Sequence, residues 1–240
     1  MDDKIKQFEQ LVNESDNIVF FGGAGVSTES GIPDFRSKDG LYNQQYKYPP
    51  ETILSHTFFM NKTEEFFKFY KSKMNSLKYQ PNITHIKLAE LEAKGKLKAV
   101  ITQNIDGLHQ KAGSKVVYEL HDSVLRNYCM NCHKFYDAEY VFNSNGIPRC
   151  SCGGIIKPDV VLYEEGLDEE TIEKSIYSIQ NADLLIVGGT SLTVQPASGL
   201  INFFRGKNLV LINRDSTPYD NKANLVINDS LGTVFSKIKL

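Results

Sequence analysis

The sequence predicts an α/β fold: a large domain built on a doubly wound, Rossmann-like parallel sheet, with a small zinc-ribbon and helical insert domain. Three observations predict it. Continuous apolar runs at Asn17-Ile-Val-Phe-Phe21, Ala182-Asp-Leu-Leu-Ile-Val-Gly-Gly189 and Asn208-Leu-Val-Leu-Ile-Asn213 read as strands buried on both faces, and helical patterns separate them. The first run enters Gly22-Gly-Ala-Gly25 and then Ser27 to Ser30. That order, strand, glycine turn and helix start, is the phosphate-binding unit of doubly wound sheets. All four cysteines lie in one segment, Cys129-Met-Asn-Cys132, then seventeen intervening residues, then Cys150-Ser-Cys152-Gly-Gly.

Along the chain, Ile5, Phe8, Leu11 and Val12 give residues 3–15 a helical spacing. The strand at 17–21 and its glycine turn follow. The turn lacks the third glycine of the usual fingerprint, because position 28 is Thr, and no acidic residue ends a following strand about 20 residues on. Taken singly, it is matched by a glycine turn that merely packs. Residues 38–82 are rich in Tyr, Phe and Lys, carry Pro49-Pro50, and show helical stretches near 50–60 and 63–77. A helix at 85–94, a strand at 98–102, a short helix at 106–111 and a strand at 116–120 come next. The cysteine segment is an excursion from the sheet, entered near 125 and left near 157. A strand at 158–163, a helix at 171–180 and strands at 182–189, 208–213 and 225–228 complete the alternation. The domains are therefore expected at 1–37, 83–124 and 158–240 for the sheet, and at 38–82 and 125–157 for the small domain.

A chain of 240 residues, 41% hydrophobic, buries an ample core without covalent staples. Its net charge of −2, with both signs interspersed, gives no general pull toward nucleic acid or an anionic membrane. No apolar run approaches the ~20 residues of a membrane span, and the N-terminal residues are polar. Cys129, Cys132, Cys150 and Cys152 in two close pairs point to one structural zinc held by four thiolates. Two disulfides, or four unrelated buried thiols, are the alternatives. His133 is surplus to the four, so the site is closed and the chemistry lies elsewhere. Thiols that act as metal ligands suit a reducing compartment, and a cytoplasmic protein is expected.

The chemistry is sought at strand ends, where open α/β sheets bind ligands. Ser27, Thr28, Asp34 and Arg36 follow the first strand, Gln103, Asn104 and Asp106 the next, then His121, then Thr190, Ser191 and Asn213. Amides, hydroxyls and a carboxylate suit ribose hydroxyls and an adenine edge. His121 is the good proton acceptor near neutral pH. For any single residue a helix cap or a turn explains as much; the set converging on one crevice is what carries the reading.

The chain resembles the sirtuins, the NAD-dependent protein deacylases. Gly23-Ala-Gly25-Val-Ser-Thr-Glu-Ser-Gly-Ile-Pro-Asp-Phe-Arg36 is similar to the family's first signature, and Thr102-Gln-Asn-Ile-Asp-Gly-Leu-His109-Gln-Lys-Ala-Gly113 to its second. Glu119-Leu-His121 resembles the catalytic histidine motif, and the four cysteines resemble the zinc module. Lys157-Pro-Asp-Val-Val-Leu-Tyr163 and Gly189-Thr-Ser-Leu-Thr-Val-Gln-Pro196 resemble the peptide-side and NAD-side loops. The resemblance implies an NAD-dependent lysine deacetylase that moves the acetyl group to ADP-ribose and releases nicotinamide. NAD would be held by Gly23, Ala24, Gly25, Thr28, Gln103, Gly189, Thr190, Ser191 and Asn213, with Phe35 and Arg36 on a covering loop. Asn104, Ile105 and Asp106 would line the nicotinamide pocket, and His121 would be the general base. An acetyl-lysine peptide would add as a strand between Val160, Val161, Leu162, Tyr163 and Val194. Neither nucleic acid nor membrane is an expected partner.

Three positions depart from the family pattern: Asp122 after the histidine and Glu164 after Tyr163, both where glycine is usual, and a one-residue spacer in the second cysteine pair. If the Asp122 side chain lies near the ring, its carboxylate is expected to stabilise the imidazolium form of His121 and slow the enzyme; turned to solvent, it is merely tolerated. Tyr70 and Lys73 stand where relatives that remove acidic acyl groups carry Tyr and Arg, which implies a preference for small neutral acyl groups. Two other activities stay open: a protein mono-ADP-ribosyltransferase, and a low-turnover NAD-binding sensor module.

Overall fold

The computed structural model describes residues 2–34, 40 and 46–239. Phe35 and Arg36 therefore lie outside the described residues.

Six parallel strands form the large sheet: β1 (Ile18–Gly22), β2 (Leu97–Thr102), β3 (Val117–Glu119), β7 (Leu184–Gly188), β8 (Asn208–Ile212) and β9 (Leu225–Ile227). Their order is β3-β2-β1-β7-β8-β9, the doubly wound arrangement, with its reversal between β1 and β7. Every residue of β1 is buried. Ile18 and Phe20 face one core with Val12, Leu88 and Phe235. Val19 and Phe21 face another with Ile179, Leu185 and Leu200. This two-faced burial is why the strands read as continuous apolar runs. Helices α1 (Asp2–Glu14), α5 (Ile83–Ala93) and α9 (Leu231–Lys237) supply the first layer. The other layer comes from α8 (Glu169–Asn181) and a 3₁₀ segment at Ala197–Phe203. Phe235 meets Phe8 and Phe20 edge-on, with centroids 5.7 and 6.4 Å away. Side chains of this size contribute ~1.5–3 kcal/mol each by burial.

The smaller part has its own core. Helices α2 (Pro50–Ile53), α3 (His56–Asn61) and α4 (Thr63–Lys73) bring Phe58, Phe59, Phe66, Phe67, Phe69 and Tyr70 against the cysteine segment. The segment folds as an antiparallel sheet in the order β5-β4-β6, with β4 (Asp122–Cys129), β5 (Phe135–Asp137), α7 (Ala138–Asn143) and β6 (Ile156–Val160).

Two expectations change. The strand expected at 158–163 spans Ile156–Val160 and does not join the parallel sheet; it pairs antiparallel with β4, Asn127 opposite Pro158. Its burial alternates residue by residue, as in a sheet packed on one face. The helix expected from Ser27 is replaced by two 3₁₀ turns, Ala24–Val26 and Thr28–Ser30. Gly31 at φ 91° ends the second turn, and Pro33 two residues on has no N–H to continue it. The short α6 (Leu108–Ala112) lies where a helix was expected. Among the described residues no helix is long and apolar enough to cross a membrane.

Candidate active site and metal centre

A crevice of about 620 Å³ opens at the carboxyl ends of β1, β2, β7 and β8, and extends to α4 and the end of β6. Its floor is two glycine turns in close contact. The Gly25 N–H donates to the Gly189 carbonyl at 2.8 Å. A Cβ on Gly25 would stand 2.7 Å from the Gly189 Cα, and one on Gly189 would stand 2.5 Å from the Val26 nitrogen. Gly189 also has φ 62°, so both steric room and backbone conformation demand glycine there. The loop after β7 is tied down next: Thr190 N–H donates to Asn213 Oδ1 at 2.9 Å, and Gln103 Nε2 to Thr190 Oγ1 at 3.1 Å. Asn213 Nδ2 is buried with no partner, a donor left over for a ligand.

Deeper in, Ser27 Oγ donates to Asp106 Oδ2 at 2.6 Å and accepts from Asn104 Nδ2 at 3.1 Å. Asp106 Oδ1 accepts the Leu108 N–H at 2.9 Å, which starts α6. Burial raises the Asp106 acid above its ordinary range, and the bonds from Ser27 and Leu108 offset part of that. Asp106 thus anchors the loop as well as lining the crevice.

His121 sits where the chain leaves β3 for β4. Its Nδ1 lies 2.8 Å from the Gln103 carbonyl oxygen. A carbonyl accepts, so Nδ1 carries the proton and Nε2 is left with its lone pair. Burial holds the imidazole below its ordinary pKa, and the bond to Gln103 raises it in part. The expectation for Asp122 is corrected here. Its carboxylate lies 3.6 Å from the Arg126 guanidinium and is not among the groups that shift His121. Arg126 also bonds Glu119 at 2.7 Å and Asp159 at 2.8 Å. Burial first, then the Asp159 charge, pushes Asp122 up to about 6 although Arg126 pulls it down. Its φ of 58° is the conformation that favours glycine. Glu164 has φ 78° for the same reason, and its carboxylate accepts the Thr57 N–H at 2.8 Å at the start of α3.

Of the residues expected to take a peptide, Val160, Val161, Leu162, Tyr163 and Val194 all line the crevice. Several backbone groups are already used: Val161 N–H by the His121 carbonyl, and Tyr163 N–H and C=O by Leu54 and His56. Tyr70 and Lys73 line the same crevice. Tyr70 stacks between Phe66 and Phe142, and its fully buried hydroxyl has no partner.

The structure brings every described residue of the expected NAD set to this crevice. Arg214 to Thr217 and Asp229 to Leu231 line it too, and sequence reasoning missed them. The strand-end rule that found Asn213 applies equally to the residues after β8 and β9.

The four cysteine sulfurs lie within 4.8 Å of one another. Cys129 to Cys152 is 3.4 Å and Cys132 to Cys150 is 3.5 Å. Both exceed the about 2.05 Å of a disulfide. They approach the roughly 3.8 Å edge of a tetrahedron with about 2.3 Å zinc–sulfur bonds. The Cys132 backbone N–H leads in lowering Cys129, and the Cys152 N–H lowers Cys150 to about 5. For Cys152 the Gly154 N–H is outweighed by the neighbouring sulfurs, which push it up to about 12. Four sulfurs gathered this closely fit a cation among them, which would hold all four as thiolates. Gly154 makes room: a Cβ there would stand 2.7 Å from Cys129 Sγ. The one-residue spacer therefore still closes a four-sulfur site that fits zinc.

Comparison with known proteins agrees with the site. The model of the Sir2 family matches residues 23–196. A Clostridium perfringens (strain 13 / Type A) protein named NAD-dependent protein deacetylase is 61% identical over 242 residues, covering 99% of each chain. A structure of Sir2 with a deacetylated p53 peptide and 3'-O-acetyl ADP ribose superposes with TM-score 0.89 at 40% identity, covering 97% of this chain and 96% of that one. A complex of Sir2 with p53 peptide and NAD+ gives TM-score 0.86 at 40% identity over the same shares.

Proposed function

The chain belongs to the Sir2 family, and from that membership and the crevice we infer that it is an NAD-dependent protein lysine deacetylase with a structural zinc. NAD serves as co-substrate: nicotinamide leaves and the acetyl group ends on ADP-ribose. The observation that carries the reading is the His121 arrangement, a half-buried imidazole lining the crevice with Nδ1 fixed on the Gln103 carbonyl and Nε2 left with its lone pair.

In this reading Gly23, Gly25 and Gly189 let the two turns pack closely, since a Cβ there would meet the facing turn, and together with Ala24 they present backbone to the dinucleotide. Thr28, Gln103, Thr190, Ser191 and Asn213 bind its hydroxyl and amide groups. Phe35 and Arg36 act from the covering loop. Asn104, Ile105 and Asp106 hold the nicotinamide end, with Ser27 fixing both polar members. His121 Nε2 takes the proton of a ribose hydroxyl as general base. The acetyl-lysine peptide lies between Val160–Tyr163 and Val194, drawing on backbone groups not already bonded to Leu54, His56 and His121. The apolar walls exclude water from the reacting centre. We place the protein in the cytoplasm, where thiolate zinc sites persist.

Incubation with NAD and an acetyl-lysine peptide tests this. Nicotinamide and deacetylated peptide are expected in equal amounts. ADP-ribosylated protein in their stead would make the chain a transferase, and bound but unconsumed NAD would make it a sensor.

A further inference from the structure

In an ordinary doubly wound unit the glycine turn runs into a long helix, and that helix holds the turn against the sheet. Among the described residues after the turn, no such helix follows. Residues 24–30 form two three-residue 3₁₀ turns, whose internal bonding is poor. Yet Ala24, Gly25, Ser27 and Thr28 all line the crevice. Something outside the segment has to hold it.

Two side chains do. Glu29 reaches the start of α9: its Oε2 accepts the Gly232 N–H at 2.7 Å and its Oε1 accepts from Ser230 Oγ at 3.0 Å. The fit is close, since a Cβ on Gly232 would stand 2.5 Å from Glu29 Oε1. From the other side Asn82 Nδ2 donates to the Val26 carbonyl at 2.8 Å and to Ser30 Oγ at 3.0 Å. Asn82 separately caps α5 through Oδ1, which accepts the Thr84 N–H at 3.0 Å. Both supports are themselves fixed in the core, α9 by Phe235 and α5 by Leu88 and Leu91.

We propose that Glu29 and Asn82 are positioning residues for the dinucleotide, a two-sided clamp that does the work of the absent helix and keeps Ala24 to Thr28 in their NAD-binding shape. The proposal rests on the reading that the crevice binds NAD. Neither side chain touches the reacting atoms, so the clamp acts on NAD affinity and leaves the chemical step unaltered.

The test is calorimetric NAD affinity for the wild type, Glu29→Ala, Glu29→Gln and Asn82→Asp, together with steady-state kinetics and melting temperatures. Glu29→Ala removes two hydrogen bonds to the segment and is expected to weaken NAD about tenfold in Kd. KM for NAD rises in step, while kcat at saturating NAD stays within about twofold and KM for the acetyl-peptide is unchanged. Glu29→Gln keeps an acceptor for the Gly232 N–H and is expected to recover most of the affinity. Asn82→Asp keeps the helix cap but cannot donate to Val26 or Ser30. It should weaken NAD comparably, and it serves in place of Glu29→Ala should that variant not fold. Unchanged NAD affinity in both variants overturns the proposal. So does an affinity loss that Gln does not restore and that tracks a fall in melting temperature. A wild type that binds NAD without deacetylating the peptide refutes the assigned reaction only, and the clamp is still decided by calorimetry. A wild type that does not bind NAD overturns both.

Discussion

At the scale of single residues, His121 shows what sequence reads well and what only coordinates add. A histidine after a short strand, beyond Glu119 and Leu120, is legible as a candidate base. Its tautomer is not, because the Gln103 carbonyl that fixes it lies 18 positions away. His121→Ala should lower kcat/KM ~100–10,000-fold while calorimetric NAD affinity stays near the wild-type value. Unchanged turnover would remove His121 from the mechanism. Because burial depresses its pKa, the acidic limb of kcat/KM should fall below the ordinary histidine value of about 6.5. The required form is the neutral imidazole, so rate rises with pH through that limb and is level by neutrality. Asp122 illustrates the opposite case. Sequence marks it as a neighbour of the base, yet its carboxylate faces Arg126 and its strain is in the backbone, at φ 58°. Asp122→Gly relieves a conformation that costs a side chain roughly 1 kcal/mol, but it also gives up the ion pair with Arg126, a partly exposed contact of small worth. The variant is therefore expected to be as stable or slightly more stable, with the acidic limb unmoved. A shift of that limb toward lower pH would show that Asp122 does act on the imidazole.

At the scale of elements, long buried strands were legible because both their faces are covered. Short elements were legible in part: strands were expected at 116–120 and 225–228, where β3 and β9 lie, but β5 and α9 were not expected. Leu231-Gly-Thr-Val-Phe235 carries too few residues to display a helical period, and it becomes α9 through the Ser230 cap and its contacts with Phe8 and Phe20. The β6 assignment to the small sheet was present in the alternation Ile156-Lys-Pro-Asp-Val160, and its period of two is that of a one-sided antiparallel strand. The zinc segment was legible as ligands. What it holds together was not: Cys129 and Cys150 belong to the same core as Phe66, Phe67 and Tyr70. Chelation, or Cys129→Ser, should therefore loosen the helical module too, lowering the melting temperature and activity together, with about one zinc per chain by elemental analysis. A metal-free protein of equal stability and activity would refute a structural zinc. Helix α4 presents Tyr70 and Lys73 to the crevice. An ammonium is a point charge without the planar two-bond fork that grips a carboxylate. Deacetylation should exceed desuccinylation in kcat/KM, and the reverse order would overturn the preference for small neutral acyl groups.

At the scale of the whole molecule, the crevice exists because two separately packed cores meet over the carboxyl ends of the parallel strands, and the sheet's own stability limits everything built on it. One feature of that sheet layer was invisible in sequence. His85 on α5 and His109 on α6 are fully buried, with rings 4.7 Å apart, beside Phe20. Each histidine by itself reads as a surface residue of an amphipathic helix; only the packing of α5 on α6 makes them a pair. His109 has neither ring nitrogen bonded, and His85 Nε2 is likewise without a partner. Burial lowers His85 to about 4, and burial followed by the His85 charge holds His109 well below 6.5. Both are therefore neutral in the fold. The unfolded chain takes up protons as pH falls below about 6.5, so the unfolded state binds more protons than the native one between that value and the folded pKa. Stability from this pair is complete above pH 6.5 and is lost as pH falls toward about 4. For His85 the loss is on the order of 3 kcal/mol across the window. Asp106 and Asp122, raised by burial, act in the opposite sense above the ordinary carboxylate range, and zinc release adds its own acid sensitivity. A comparison with His109→Leu cancels these shared terms. The variant is expected to lose less stability than the wild type in urea unfolding between pH 6.5 and 5.5, because one buried group no longer has to stay unprotonated. Parallel pH slopes for the two proteins would mean that the native structure opens to water around His109 and accepts the proton without unfolding.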